Sequence, residues 1–154
     1  MRERVLACIG LGANLGDAAQ QVRDAAHALS KAEGCEDLQL SPLYRTAPHE
    51  ASGPDYVNAV ATLQTRLTAP DLLHLLQRLE TAAGRERPYV NAPRTLDLDV
   101  LFYGESRMDS PRLQLPHQRW ASRAFVLYPL RDVCPERVSD AMLAAVAGQV
   151  IQRV

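Results

Sequence analysis

Lysine is almost absent: Lys31 is the only one in a chain of 154 residues that carries 17 Lys plus Arg. Cysteine is scarce too, with Cys8, Cys35 and Cys134 far apart and no Cys-x-x-Cys among them. That spacing excludes a zinc knuckle or a thioredoxin-type pair. It suits buried or indifferent thiols in a reducing compartment, so a cytoplasmic protein is expected. No apolar run is long enough to cross a bilayer, and no membrane partner is expected. The opening MRERVLACIG lacks a long apolar core and a small-residue cleavage site, and reads as a first strand rather than a signal peptide. A net charge of −1, with no adjacent aromatics on any one strand, argues against a nucleic-acid partner. Internal repeats, a GxxxxGK[ST] phosphate loop and a Ser/His/Asp or Cys/His arrangement are all missing.

What is present is a chain that is 47% hydrophobic, enough for one real core, so residues 1–154 are expected to form a single domain. The cations are nearly all arginine, whose rigid fork of donors matches phosphate oxygens. Composition alone does not separate that use from a GC-rich coding sequence.

The apolar run at 5–12 predicts a buried strand. Asp17 can cap a helix through about Lys31, with Val22, Ala25, Ala26 and Leu29 as its apolar stripe and Gly34 as its stop. Residues 38–46 read as extended, with Pro42 near an edge. Residues 47–55 have loop composition. Residues 56–65 alternate, and Val57, Ala59, Ala61 and Leu63 make the better core face. Thr68 can cap a helix through about Ala83, striped by Leu72, Leu73, Leu76 and Leu79 and ended by Gly84. A second loop follows at 85–93. Beyond it come a strand at 95–104, a short extended piece at 112–117, a helix over 122–133 interrupted by Pro129, and a last helix near 140–147. Two consecutive strands predict an antiparallel pair and an α+β class, a mostly antiparallel sheet packed by helices.

The strand TLDLDVLFYG places Leu96, Leu98, Val100 and Phe102 on one face and Asp97 and Asp99 on the other. Alternation puts the two aspartates roughly 7 Å apart, close enough to share or bridge divalent cations. Magnesium favours such carboxylates together with substrate phosphates. A bare Asp-x-Asp is more often a solvated strand face, but aspartate is a poor strand former. Arginines also cluster around this strand: Arg85, Arg87 and Arg94 before it, and Arg112, Arg119 and Arg123 after it, with His117 among them. Carboxylates for Mg²⁺ and guanidiniums for phosphates are the equipment of phosphoryl transfer. Tyr56 and Asn58 share a strand face and suit a flat heterocycle, the ring by stacking and the amide by a donor–acceptor pair. GLGANLG (10–16) imitates a dinucleotide-binding loop, but its spacing is G-x-G-x-x-x-G and no βαβ run follows. A non-catalytic nucleotide- or RNA-binding module is the other alternative to an enzyme.

The segments GLGANLGD, LYRTAP, PDYVNA, QRLE, GRER, PRTLDLDVLFYG, LQLPH and RAFVLYPL, in this order, resemble the 6-hydroxymethyl-7,8-dihydropterin pyrophosphokinase family of folate biosynthesis nearly end to end. The resemblance implies a ferredoxin-like fold. It implies transfer of the pyrophosphoryl group of ATP to the pterin hydroxymethyl, releasing AMP, by a monomer acting on these two small molecules. It implies that Asp97 and Asp99 bind two Mg²⁺ ions and, with Arg85 and Arg94, form the catalytic set. Tyr56 and Phe125 would sandwich the pterin, Asn58 would hydrogen-bond it, and Thr46, Ala47 and His49 would line its pocket. Arg85, Arg87, Arg94, His117 and Arg123 would handle phosphates, and Gln77, Leu98, Arg112 and Gln114 would serve the rest of the ATP side. The loops 47–55 and 85–93 would order over both substrates, although the second lacks the tryptophan common in the family.

Overall fold

A computed structural model of the chain describes residues 2–47, 55–84 and 96–154. His49, Arg85, Arg87 and Arg94, residues 48–54 of the first loop and all of the second loop expected to order over the substrates lie outside the described residues. The described chain runs β1 (Val5–Ala13), α1 (Ala18–Lys31), β2 (Cys35–Leu40), β3 (Tyr44–Thr46), β4 (Tyr56–Thr65), α2 (Ala69–Gly84), β5 (Asp97–Tyr103), β6 (Met108–Asp109), β7 (Gln114–Leu115), α3 (Ala124–Val133), α4 (Asp140–Ala145) and β8 (Ile151–Arg153).

The main sheet has the order β5-β1-β4, with β2 and β3 paired to successive stretches of β4's outer side and β8 beyond β3. Its ladders are all antiparallel. The connectivity β1-α1-β2 and β4-α2-β5, with β1 and β4 central, is the split βαβ of the ferredoxin-like class. The expected α+β fold, a mostly antiparallel sheet packed by helices, is the observed one.

Local chemistry sets the element ends. The Asp17 carboxylate accepts from the Gln20 N–H at 3.2 Å and the Thr68 hydroxyl from the Asp71 N–H at 3.1 Å, so both expected caps form. Gly104 takes φ +54 after β5, in the left-handed region that a side chain disfavours. Val22, Ala25, Ala26 and Leu29 are the buried stripe of α1. On α2 the buried set is Ala69, Leu72, Leu75 and Leu76, with Leu73 and Leu79 only partly covered.

Both faces of the sheet are covered, by different partners. Ala7, Ile9 and Leu11 of β1, Val57, Ala59, Ala61 and Leu63 of β4, and Leu98 and Val100 of β5 pack with α1 and α2. Cys8, Val60, Leu101 and Phe102 pack with Val126 and Leu130 of α3 on the opposite face. Phe102 therefore does not share a face with Leu98 and Val100. The β1–β5 register pairs Ile9 with Val100 but Cys8 with Phe102, leaving Leu101 as an extra residue. Such a bulge shifts the alternation, so Leu101 and Phe102 both face α3 and Tyr103 returns to the α1–α2 side.

Three further expectations change. The single extended run at 38–46 is two strands separated by residues 41–43, and β2 begins earlier, at Cys35. Pro42 has no N–H to give a ladder, which explains the break. Pro129 does not interrupt α3: it is buried with Val126, Leu127 and Leu130, and their packing outweighs the one helical bond that proline cannot make. The tail after α4 forms β8, which was not foreseen. Among the described residues, no helix is long and apolar enough to cross a membrane.

Candidate active site

The sheet's strand register assembles a row of residues that are distant in sequence. Gly12 pairs with Asp97 on one side and with Asn58 on the other, and Gly10 pairs with Asp99 and with Val60. Asp97 and Asp99 therefore stand on one flank of β1 and Asn58 on the other, with two residues lacking side chains between them. The floor between the flanks is bare backbone at Gly10 and Gly12, and the Asn58 amide lies directly over Gly12. A Cβ there would lie 2.7 Å from the Asn58 Oδ1, so only glycine leaves that amide its place. At Gly10 a Cβ would meet only the Leu101 side chain, at an ordinary contact distance of 3.5 Å. Gly10 and Gly12 of GLGANLG thus belong to β1 itself, and only Gly16, at φ +61, lies in the turn before α1, so the glycine-rich loop into a helix that a dinucleotide site requires is not formed.

A cleft of about 920 Å³ opens over this floor. Thr46, Ala47, Tyr56 and Asn58 line it from the β3–β4 side, Asp97 and Asp99 from β5, and His117, Arg123 and Phe125 from the chain that follows β5. Both aspartate residues are exposed, whereas Leu98 between them is buried in the core. Asn58 is only 7% exposed and donates to the Thr46 hydroxyl at 3.4 Å, so it is a buried amide held at the cleft wall. The Arg123 guanidinium lies 5.3 Å from the Phe125 ring centre.

His117 is fixed through its backbone, whose N–H donates to the Leu101 carbonyl at 2.9 Å. Its Nδ1 accepts from the Arg119 N–H at 3.3 Å. An accepting Nδ1 leaves the neutral ring's proton on Nε2, a donor suited to a phosphate oxygen. The cleft thus holds two carboxylates facing a histidine and two arginines, Arg119 and Arg123. Among the described residues no group of three or more His, Cys, Asp or Glu side chains forms a metal cage. A pair of aspartates exposed in a cleft fits a hard cation that completes its shell with substrate phosphates and water.

The other predicted residues lie elsewhere. Gln77 sits on the exposed side of α2 in a separate depression of about 590 Å³, beside His74, Arg78 and Thr81. Leu98 offers only its backbone, and its N–H donates to the Glu80 Oε2 at 2.9 Å. Arg112 and Gln114 do not line the cleft; Gln114 donates to Asp109 at 3.2 Å. The lining residues that the sequence had not pointed to include Gly10, Gly12, Leu101, Ser122, Gln149 and Val150. For the glycines a signal existed: two of them at i and i+2 in a strand mark a close approach. For Gln149 and Val150 none did, because only the return of the chain as β8 brings them there.

A family model described as 7,8-dihydro-6-hydroxymethylpterin-pyrophosphokinase matches residues 8–135. A 2-amino-4-hydroxy-6-hydroxymethyldihydropteridine pyrophosphokinase from Pseudomonas aeruginosa is 41% identical over 153 residues, covering 95% of this chain and 94% of that protein. One from Haemophilus influenzae is 38% identical over 135 residues, covering 87% and 84%. A solved HPPK-DHPS chain in complex with substrates aligns with a TM-score of 0.69 at 12% identity, covering 95% of this chain and 43% of that one, which shows the fold alone. The segments of the resemblance, the fold and the family match agree, and the chain belongs to the 7,8-dihydro-6-hydroxymethylpterin-pyrophosphokinase family.

Proposed function

We propose that the cleft over β5, β1 and β4 is where this ATP-dependent diphosphotransferase of folate biosynthesis works. The reaction moves the pyrophosphoryl group of ATP to the hydroxymethyl group of 6-hydroxymethyl-7,8-dihydropterin. A bond forms between the hydroxymethyl oxygen and the β-phosphorus, and the hydroxyl proton is released. The bond from that phosphorus to the α–β bridging oxygen breaks, and AMP leaves.

The observation that carries the reading is the row Asp97–Gly12–Asn58, which sets a carboxylate flank and an amide flank on either side of a floor without side chains. The pterin lies between Tyr56 and Phe125, with the Asn58 amide and the backbone of Thr46 and Ala47 reading its polar edge. Stacking and a donor–acceptor amide together fix a flat heterocycle in one orientation. Asp97 and Asp99 would hold two Mg²⁺ ions, which when bound neutralise triphosphate charge. His117 and Arg123 take phosphate oxygens from the opposite wall. On the family resemblance, Arg85, Arg87 and Arg94 join them, and His49 joins the pterin pocket. Gln77, Leu98, Arg112 and Gln114 serve the rest of the nucleotide. The protein supplies positioning and charge compensation, which is most of what phosphoryl transfer needs.

The reading extends to the whole chain as one domain, a monomer acting on small molecules in the cytoplasm, without a nucleic-acid partner. The net charge of −1 and three buried free cysteines support it. AMP production from ATP is expected to require both Mg²⁺ and the pterin. Asp97→Ala and Asp99→Ala are each expected to lower kcat by about 100-fold or more. An active wild type whose two variants kept full activity would refute the metal role.

A further inference from the structure

The segment after α4 lies beyond the residues that the family model matches, yet it forms part of the cleft wall. The N-terminus of α3 lacks a cap of its own, since the N-cap residue Arg123 makes no side-chain capping bond. The first N–H groups of a helix have no partner within it. Gln149 supplies one from a distance. Its Oε1 accepts from the Ala124 N–H at 2.9 Å, and its Nε2 donates to the Ser122 carbonyl at 3.0 Å. One amide thus grips the peptide groups on both sides of Arg123, two residues before Phe125.

The same segment is tied to the opposite wall. Ile151 pairs with Thr46 in the β3–β8 ladder. Ala47 and Val150, the next residues outward on each strand, both line the cleft. Residues 149–151 therefore span from the Thr46–Ala47 wall to the Ser122–Phe125 wall. Glutamine suits the position chemically. Its amide carries a donor and an acceptor at equal reach; glutamate keeps only the acceptor, and asparagine is one methylene short.

We propose that Gln149 is a positioning residue for the pterin slot, holding the start of α3 so that Phe125 stands at a set distance from Tyr56. This rests on the reading of Tyr56 and Phe125 as the walls of that slot. The test uses the full chain and measures equilibrium binding of 6-hydroxymethylpterin and, separately, of an α,β-methylene ATP analogue with Mg²⁺. Gln149→Ala is expected to raise the Kd for the pterin about tenfold, the equivalent of one lost helix cap, and to leave that for the nucleotide within about twofold. Gln149→Glu keeps the bond from Ala124 and is expected to fall between wild type and Gln149→Ala. Unchanged pterin binding in Gln149→Ala, equal weakening of both ligands, or a Gln149→Glu variant no better than Gln149→Ala would overturn the proposal. Phe125→Ala separates it from the underlying reading. If Phe125→Ala loses pterin affinity while Gln149→Ala keeps it, only the role of Gln149 falls. If Phe125→Ala binds normally, the slot itself is misassigned.

Discussion

At the scale of single residues, the site depends as much on missing atoms as on present ones. Gly10 and Gly12 look alike in the sequence, but their neighbours differ. A methyl group at Gly12 collides with the Asn58 Oδ1, whereas at Gly10 it meets Leu101 at ordinary contact distance. Gly12→Ala should displace the amide that reads the pterin and raise the KM for pterin about tenfold, the cost of one misplaced hydrogen-bonding group. Gly10→Ala should change it much less. Steady-state kinetics of the two variants decide the matter, and equal effects would show that the floor of the cleft does not act through Asn58.

At the scale of elements, β8 is too short to hold itself by its ladder to β3. Side chains assist it. The Tyr44 hydroxyl donates to the Asp132 carboxylate, and Arg153 reaches both, at 3.4 Å from the Tyr44 hydroxyl and 3.6 Å from Asp132. Burial first, and the bond to Asp132 second, push the Tyr44 phenol above its usual range, so it remains a donor through the neutral region. β3, α3 and β8 are thereby joined at one point. Tyr44→Phe leaves the Asp132 carboxylate without its phenolic donor and should cost about 1.5–3 kcal/mol, measured as a lowered denaturation midpoint at unchanged slope. An unchanged midpoint would mean that strand pairing alone holds the tail. Arg153, 60% exposed, should matter far less to stability.

At the scale of the whole molecule, the sheet separates two apolar layers, and the layer under α3 contains a titratable group. Cys8 is fully buried there; burial foremost, and the neighbouring Cys134 thiol next, push it up from a usual value near 9 to about 12. In the unfolded chain the thiol loses its proton at the lower pH. Its contribution to stability is therefore complete below about pH 9 and is lost as the pH rises towards 12. Denaturant midpoints measured between pH 7 and 11 should show an alkaline decline, shallower in Cys8→Ala. A variant with the same alkaline slope as wild type would place that titration elsewhere.

Much of this protein was legible from its linear order because the signals are local. Asp17 and Thr68 mark helix starts, a 3.6-residue stripe marks α1, and period-two alternation marks the core face of β4. Asp97 and Asp99, two poor strand formers in one strand, pointed to a ligand before any partner was known. What only the tertiary structure decided is non-local. The bulge at Leu101 depends on how β5 pairs with β1, and it alone moves Phe102 to the other face. The value of Gly12 depends on a strand register that sets Asp97 and Asn58 on its two sides. The contribution of Gln149 depends on the chain returning as β8, since the residue is 25 positions from the helix start it caps. Periodicity reports which way a side chain points within its own element; which side chains it meets is set by register and chain return, and these are properties of the assembled sheet.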